Sequence, residues 1–129
     1  MKKEKSCGAI VIKENKVLMI QSQKGMYGFP KGHMEKGETE IQTAIRETKE
    51  ETNVDIIVEN NKKYIISYIV KKVIHKDVIY FLAKPKEPIN LIADKKEIKK
   101  VFWQDIEKVE ELLTKENIKN LWKQVLVEI

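Results

Sequence analysis

Six glutamates stand between Glu35 and Glu51 in a chain whose formal net charge is +5. On an α-helix, Glu47, Glu50 and Glu51 fall within an arc of roughly 100°, because the helix turns by about that angle at each residue. Carboxylates at this spacing repel each other in water, at a cost of about 0.2–0.5 kcal/mol for each i,i+4 pair. A hard divalent cation such as Mg²⁺ or Mn²⁺ prefers oxygen ligands and reverses the repulsion. The spacing therefore predicts a metal site made of carboxylates.

The chain contains a single arginine, Arg46, among 25 basic residues. It directly precedes Glu47 in the acidic stretch. A planar guanidinium binds a carboxylate through two parallel hydrogen bonds, whereas a lysine ammonium is a point charge. A lysine-rich chain that places its one arginine here indicates a need for that geometry. We expect Arg46 to clamp a carboxylate of the cluster and to hold it in register.

The composition indicates one soluble globular domain. The 129 residues are 42% hydrophobic and 35% charged, which separates the chain from disordered proteins.

Cys7 is the only cysteine, which excludes an intrachain disulfide and a thiolate metal cluster. The apolar run near the first residues is too short for a signal peptide or a membrane span, so we expect a cytoplasmic protein without membrane contact. The basic residues spread along the chain favour a polyanionic ligand. They are also explained by a general lysine bias in the proteins of the source organism.

Local patterns predict a mixed sheet covered by helices. Runs of β-forming residues predict an N-terminal hairpin and four further strands, in the segments CGAIVI, VLMIQSQ, VDIIVE, KYIISYIV, DVIYFLA and IKKVFW. The fifth of these is apolar on both faces, so we expect it to be central. A Gly/Pro-containing loop is predicted from Lys24 to Glu38, and helices are predicted in the C-terminal segments DIEKVEELL and TKENIKNLWKQVLVEI.

The acidic stretch carries its own helix signals. Thr39 and Gln42 stand at the spacing of a capping box, which predicts the start of the helix. Asn53 tolerates the left-handed conformation in which many helices end. The face predicted to pack on the sheet consists of Ile41, Ala44, Ile45 and Thr48.

The stretch GHMEKGETEIQTAIRETKEETNV, residues 32–54, resembles the Nudix box, G-x5-E-x7-R-E-U-x-E-E-x-G-U with U aliphatic. A solvated helix face would explain two adjacent glutamates, but not six specified residue types at fixed offsets. Thr48 replaces an aliphatic residue, and Asn53 replaces glycine. The resemblance implies one Nudix domain over residues 1–129. It further implies an α/β/α sandwich with a mixed β-sheet, the box helix on one face and the C-terminal helices on the other.

Nudix proteins hydrolyse a nucleoside diphosphate linked to another group, X, and the resemblance assigns roles on that basis. Mg²⁺, or Mn²⁺ in its place, is the implied cofactor. The implied catalytic residues are Glu47, Glu50 and Arg46. The implied metal ligands are Glu47, Glu50, Glu51 and the backbone carbonyl of Lys31, with Glu38 in a supporting role. Metal ions that bridge phosphate oxygens neutralise charge and lower the pKa of bound water.

The segments FPKGHMEKGE, KDVIYFLAKPK and KKEIKKVFW resemble the corresponding segments of the asymmetric diadenosine tetraphosphate hydrolases, a branch of this family. In this branch Tyr80 would stack on an adenine, and Glu97 would reach the metals from a later loop. Lys31 and His33 flank a glycine beside the metal helix, which places them to meet phosphate. Tyr27 either lines the base pocket or packs its own loop.

Other functions fit parts of the same pattern. Within the hydrolases, the alternatives are a nucleotide sanitiser that acts on oxidised dGTP and a pyrophosphohydrolase that acts on 5′-triphosphate RNA. A nucleotide-sensing binding module is the alternative outside the enzymes, although a sensor does not need the full glutamate set. A scaffold domain would show no metal dependence. The expected partner is a nucleotide polyphosphate, and the expected state is a monomer or homodimer.

Overall fold

The protein is described by a computed structural model that covers residues 1–129. The elements, in chain order, are β1 (Lys2–Lys13), β2 (Lys16–Ser22), β3 (Tyr27–Gly28), β4 (Lys31–His33), α1 (Glu40–Thr52), β5 (Ile56–Val58), β6 (Tyr64–Val70), β7 (Ile74–Pro85), β8 (Ile98–Asp105), two 3₁₀ turns (Ile106–Lys108 and Glu110–Leu112) and α2 (Glu116–Glu128).

The strands form a mixed sheet around β1 and β7. These two strands run parallel, from the pair Lys2 and Ile74 to the pair Val11 and Ala83. The other strand pairings are antiparallel: β2 and β4 with β1, β3 and β8 with β2, and β5 and β6 with β7. The predicted N-terminal hairpin is confirmed as β1 and β2. The predicted central position of β7 is also confirmed, because it has β1 along one edge and both β5 and β6 along the other.

Helices cover both faces of the sheet, as the alternation of side chains along β7 demonstrates. Successive side chains of a strand point to opposite faces. Ile79 and Phe81 pack with Ala44 of α1, whereas Tyr80 belongs to the cluster that contains Trp122 of α2. The predicted α/β/α arrangement, with the box helix on one face and the C-terminal helix on the other, is confirmed.

Helix α1 begins and ends where its sequence signals predict. The side chain of Thr39 accepts a hydrogen bond from the backbone N–H of Gln42, and the side chain of Gln42 accepts one from the backbone N–H of Thr39. Asn53 ends the helix with φ of 66° and ψ of 17°, the left-handed conformation. Both helices fall short of the length and apolar character that a membrane crossing requires.

The predicted sheet-facing side of α1 is only partly right. Ala44 and Thr48 are fully buried, but Ile45 is 37% exposed. The buried positions of the helix are Thr43, Ala44, Thr48, Glu51 and Thr52. The helix is therefore rolled so that small residues meet the sheet, and one of the clustered carboxylates is carried into the interior with them.

The structure differs from the predicted elements in two further places. The predicted loop from Lys24 to Glu38 contains β3 and β4, and β4 pairs with β1 opposite residues 6–8. Gly8 permits this close approach, because a Cβ atom there would lie 2.2 Å from the Pro30 carbonyl oxygen. The first predicted C-terminal helix is instead two 3₁₀ turns, and Leu113 beyond them is extended. Neither feature has a local signal, because both depend on residues distant in sequence.

Candidate active site

Arg46 lies at the centre of a network of carboxylates. Its Nε and Nη2 atoms donate to the two oxygens of Glu38, at 2.6 and 3.0 Å. Its Nη1 atom donates to Glu47 at 2.7 Å and to Glu50 at 3.1 Å, and Nη2 also donates to the backbone carbonyl of His33 at 2.9 Å. The guanidinium therefore ties the loop before α1, strand β4 and two turns of the helix to one point.

Glu38 is held as an anion by this network. Hydrogen bonds from Arg46 are the main cause that lowers the pKa of Glu38 to about 2. The backbone N–H of Glu35 and the hydroxyl of Thr43, each 2.9 Å from its Oε1 atom, lower the pKa further. Glu38 stands just before the first turn of α1, so it fixes the arginine relative to the helix.

Glu47 lies against the backbone of β4 at Gly32. A Cβ atom added to Gly32 would lie 2.0 Å from the carboxylate carbon of Glu47, so the glycine provides the space that the carboxylate occupies. Burial raises the pKa of Glu47, although the hydrogen bond from Arg46 opposes the shift. The first glycine of the box is therefore required for a close contact rather than for a turn.

Glu51 is the buried member of the cluster, with an exposed fraction of 6%. It accepts a hydrogen bond of 3.0 Å from the backbone N–H of Lys31. Burial raises the pKa of Glu51 to about 8, and repulsion from Glu47 and Glu97 contributes to the shift. Glu97, on the loop before β8, therefore lies close enough to act on both glutamates. The fold thus brings Glu97, which the resemblance places near the metals, to the cluster from a segment distant in sequence.

The carboxylates do not form a closed metal cage in this conformation, because no three His, Cys, Asp or Glu side chains converge at metal-binding distance. Glu47 and Glu50 turn toward Arg46, whereas Glu51 turns toward Lys31. The donor set nevertheless fits a hard divalent cation, since it consists of carboxylate oxygens. Burial first, and repulsion from Glu47 and Glu97 second, raise the pKa of Glu51, and a cation bound beside it would offset both effects. The assignment of metal ligands stays a prediction.

A cavity of about 540 Å³ opens beside Glu51. Five residues predicted for the site line it: Tyr27, Lys31, Glu51, Tyr80 and Glu97. Phe29, which the sequence offers beside Tyr27 for a base pocket or for packing of the loop, also lines it, but the sequence did not indicate other residues of the wall: Ile66, Tyr68, Thr114, Lys115, Asn117 and Ile118. His33, Glu38, Glu47 and Glu50 lie outside the lining, within the arginine network. The acidic network and the cavity meet at Glu51 and Lys31.

Tyr80 occupies the wall of the cavity with its ring buried. Its exposed fraction is 3%, and its ring meets Phe29 edge to face, with the centroids 5.8 Å apart and the planes at 80°. Its hydroxyl makes no hydrogen bond within the protein. Burial raises the pKa of Tyr80, and repulsion from Glu51 adds to the shift. Little of the ring face is available for stacking, so the polar end is the part of Tyr80 that can meet a ligand.

Basic residues gather near Lys31. Burial lowers the pKa of Lys31, and repulsion from Lys76 and Lys115 lowers it further. Lys115 belongs to the segment that leads into α2, and no local pattern connects that segment with the box. One feature of the sequence could have indicated Lys115: it directly precedes a predicted helix, and that helix has to pack on the sheet.

Comparison with known proteins gives a consistent picture. Residues 2–124 match the family model described as NUDIX domain. The chain is 32% identical over 98 residues to the bis(5′-nucleosyl)-tetraphosphatase [asymmetrical] of Rattus norvegicus, a match that covers 64% of this chain and 66% of that protein, just under two thirds of its length. It is 30% identical over 119 residues to the m7GpppN-mRNA hydrolase of Saccharomyces cerevisiae, a match that covers 87% of this chain and 12% of that protein.

A solved structure, that of a C. elegans Ap4A hydrolase binary complex, superposes on this chain with a TM-score of 0.84 at 25% identity. The superposition covers 97% of this chain and 96% of that one.

Proposed function

Because the chain belongs to the Nudix family, we propose that it is a pyrophosphohydrolase that cleaves a dinucleoside polyphosphate such as diadenosine tetraphosphate. The observation that carries the proposal is that a glutamate network held by Arg46 meets, at Glu51 and Lys31, a cavity lined by tyrosines and lysines. The carboxylates suit a divalent cation, and the cavity suits a nucleoside with its phosphates. We further propose that the protein works in the cytoplasm, as a monomer or homodimer.

Metal binding, positioning of the ligands and acceptance of a proton are assigned to different residues of the cluster. Mg²⁺ held by Glu47, Glu50, Glu51 and the carbonyl of Lys31 would offset the charge of the phosphates and lower the pKa of water. Arg46 keeps Glu47 and Glu50 in register through the hydrogen bonds of its Nη1 atom, at 2.7 and 3.1 Å. Glu47 accepts the proton of the attacking water at its carboxylate.

Binding of the substrate rests on residues from other elements. We assign the ammonium of Lys31 and the side chain of His33 to the phosphate oxygens, and Glu38 and Glu97 to the support of the metal ligands. Tyr27 is half-buried and lines the cavity, where it offers a ring to a base. Tyr80 offers its unpartnered hydroxyl in the same wall. In this proposal the cavity binds the nucleotide, and the glutamates bind the metal and activate water at the phosphoanhydride bond that breaks.

The test is hydrolysis of diadenosine tetraphosphate with Mg²⁺, followed by separation of the products. Wild-type protein should release equal amounts of ATP and AMP, because water adds to one terminal anhydride. Glu50→Gln should lower kcat by about 100-fold or more, since a metal ligand contributes several kcal/mol. Glu111→Gln is the matched control, because this exposed glutamate lies outside the network. Two molecules of ADP, or full activity without a divalent cation, would contradict the proposal.

A 5′-triphosphate RNA is the second candidate substrate, and the match to the m7GpppN-mRNA hydrolase over 87% of this chain favours an RNA 5′ end as the substrate class. The basic surface would then contribute through many phosphate contacts, and activity would fall steeply with salt. Hydrolysis of a 5′-triphosphate oligonucleotide and of diadenosine tetraphosphate should be compared at low and at physiological salt. Faster turnover of the RNA, with the steeper salt dependence, would replace the dinucleotide as the substrate.

A further inference from the structure

One buried hydroxyl of α1 contacts the carboxylate network although it does not belong to the glutamate set. Thr43 is fully buried, and its Oγ1 atom lies 2.9 Å from Oε1 of Glu38 and 3.0 Å from the backbone carbonyl oxygen of Thr39. The Thr39 carbonyl already accepts the backbone N–H of Thr43, at 3.0 Å. Because a charged acceptor is also the stronger one, the hydroxyl donates its hydrogen to Glu38.

Both oxygens of the Glu38 carboxylate are engaged, and Thr43 is the donor with the least freedom to move. Oε1 also accepts the backbone N–H of Glu35 at 2.9 Å and Nη2 of Arg46 at 3.0 Å, while Oε2 accepts Nε of Arg46 at 2.6 Å. Glu35 is exposed in the turn before α1, and Arg46 reaches Glu38 on a long side chain. The β-branched side chain of Thr43 has few rotamers in a helix, and burial restricts it further. Thr43 therefore fixes the carboxylate relative to the helix backbone.

Arg46 transmits the orientation of Glu38 to two other glutamates. Its Nε and Nη2 atoms bind the Glu38 carboxylate side by side, and this pair of bonds sets the plane of the guanidinium. The remaining nitrogen, Nη1, then donates to Glu47 at 2.7 Å and to Glu50 at 3.1 Å. Because the guanidinium is planar and rigid, rotation of the Glu38 carboxylate also displaces the donor that Glu47 and Glu50 share.

The other buried threonines of α1 make no contact of this kind. The hydroxyl of Thr48 has no partner, and that of Thr52 bonds to backbone groups at the end of the helix. The Nudix box specifies Glu38 and Arg46 but leaves position 43 open. The hydroxyl at Thr43 is thus a feature of this chain, and its location rather than its burial gives it access to the network.

We propose that Thr43 is a positioning residue of the active site, whose hydroxyl orients Glu38 and, through Arg46, the carboxylates of Glu47 and Glu50. Its effect on turnover rests on the proposed hydrolase function, whereas its effect on Arg46 requires no substrate. Thr43 contacts neither substrate nor metal in this proposal. Loss of the hydroxyl should therefore weaken metal binding and slow turnover while substrate binding stays nearly unchanged.

The first experiment observes Arg46 in the protein without metal or substrate. Arg46 is the only arginine, so its Nε–H group gives one signal in the arginine region of a ¹⁵N–¹H correlation spectrum. The bond of 2.6 Å to Glu38 should protect this hydrogen from exchange with water. Thr43→Val and Thr43→Ala remove the hydroxyl and should speed the exchange about tenfold, the effect of one hydrogen bond to a charged group. Thr43→Ser should retain slow exchange. Thr52→Val is the matched control, because it removes a buried hydroxyl of the same helix outside the network.

The second experiment measures metal binding and turnover in the same variants. The Kd for Mn²⁺, obtained by electron paramagnetic resonance without substrate, should rise about tenfold in Thr43→Val, the low end of the range for residues that orient metal ligands. The kcat for diadenosine tetraphosphate should fall about tenfold, with KM changed by less than about twofold. Thr43→Ser should recover both values, and Thr52→Val should match wild type.

The outcomes distinguish this inference from the proposed function. If wild type cleaves diadenosine tetraphosphate but Thr43→Val keeps the wild-type exchange rate, Kd and kcat, the positioning role is wrong and the proposed function stands. If wild type cleaves no dinucleoside polyphosphate while exchange at Arg46 and Mn²⁺ affinity still depend on the hydroxyl, the proposed function fails and the positioning role stands. Losses in Thr43→Ser or Thr52→Val as large as those in Thr43→Val would indicate general destabilisation and overturn the inference.

Discussion

At the scale of single residues, the guanidinium of Arg46 donates hydrogen bonds to four residues, and it also lies 3.6 Å from the carboxylate of Glu35. Three are the carboxylates of Glu38, Glu47 and Glu50, and the fourth is the backbone carbonyl of His33. A lysine ammonium cannot reach this set from one position, because its donors radiate from a single atom. The hydrogen bonds raise the pKa of Arg46, so its positive charge is permanent. Arg46 therefore acts through the glutamates that it positions.

We predict that Arg46→Lys lowers kcat for diadenosine tetraphosphate by about 10–100-fold, the usual cost when a residue that orients metal ligands is lost. The apparent affinity for Mg²⁺, measured by titration of activity, should fall in parallel. Lys49→Ala is the control, because it removes a basic residue of the same helix that bonds to Asp55 rather than to the network. Unchanged metal affinity in Arg46→Lys would show that the arginine does not position the ligands.

At the scale of elements, two threonines one turn apart on α1 have opposite hydrogen-bond status. Both are fully buried. The Oγ1 atom of Thr48 has no partner, whereas that of Thr52 donates to the Thr48 carbonyl at 2.6 Å and accepts from the backbone N–H of Val54 at 3.2 Å. Thr48 is also the position where the box usually carries an aliphatic residue. Its buried hydroxyl without a hydrogen bond destabilises the folded state.

We predict that Thr48→Val raises the free energy of unfolding by about 1 kcal/mol, because it removes an unsatisfied buried hydroxyl at nearly constant volume. Thr52→Val should lower it by about 1 kcal/mol, since it leaves the Val54 amide without its acceptor. Urea unfolding of the two variants provides the measurement, and each variant is the other's control. Shifts of the same sign would contradict the assignment.

At the scale of the whole molecule, α2 is attached to the sheet at its far end and borders the cavity at its start. Glu128 accepts hydrogen bonds from Lys62 and from the hydroxyl of Tyr64, which begins β6. These bonds, from Lys62 first and Tyr64 second, lower the pKa of Glu128. Burial and the same carboxylate raise the pKa of Tyr64 to about 12. Glu128 therefore adds a polar contact between the end of α2 and β6 to the core packing of Leu121, Trp122 and Val125.

We predict that Glu128→Gln lowers the Tm at neutral pH by about 2–4 °C, the range of a weak partly exposed ion pair. Because the pKa of Glu128 is lower in the folded state, its contribution is complete above the ordinary value of 4.5 and is lost as pH falls through the folded value. The difference in Tm between variant and wild type should therefore shrink below that pH. Thermal unfolding at several pH values tests this, with Glu111→Gln as control. A difference that grows on acidification would contradict it.

Features predicted correctly from the sequence depend on residues near one another in the chain. The capping box at Thr39 and the left-handed Asn53 each involve a few consecutive residues, and their geometry repeats in any context. The strands and the central place of β7 follow from alternation and from a run that is apolar on both faces. The exposed Ile45 and the 3₁₀ turns were not predicted, because the roll of a helix and the path of a connection depend on the surfaces they meet.

The sequence by itself determined the residue types of the site, their spacing on α1 and the family to which the chain belongs. Only the tertiary structure decided that Glu51 is buried, that the ring of Tyr80 packs against Phe29, and that Lys115 lines the same cavity as Lys31. The physical reason is that burial and electrostatic environment are set by elements far apart in the chain, packed on opposite faces of the sheet. The spacing of residues therefore predicted the acidic cluster, whereas the composition of the cavity beside it depended on the packing.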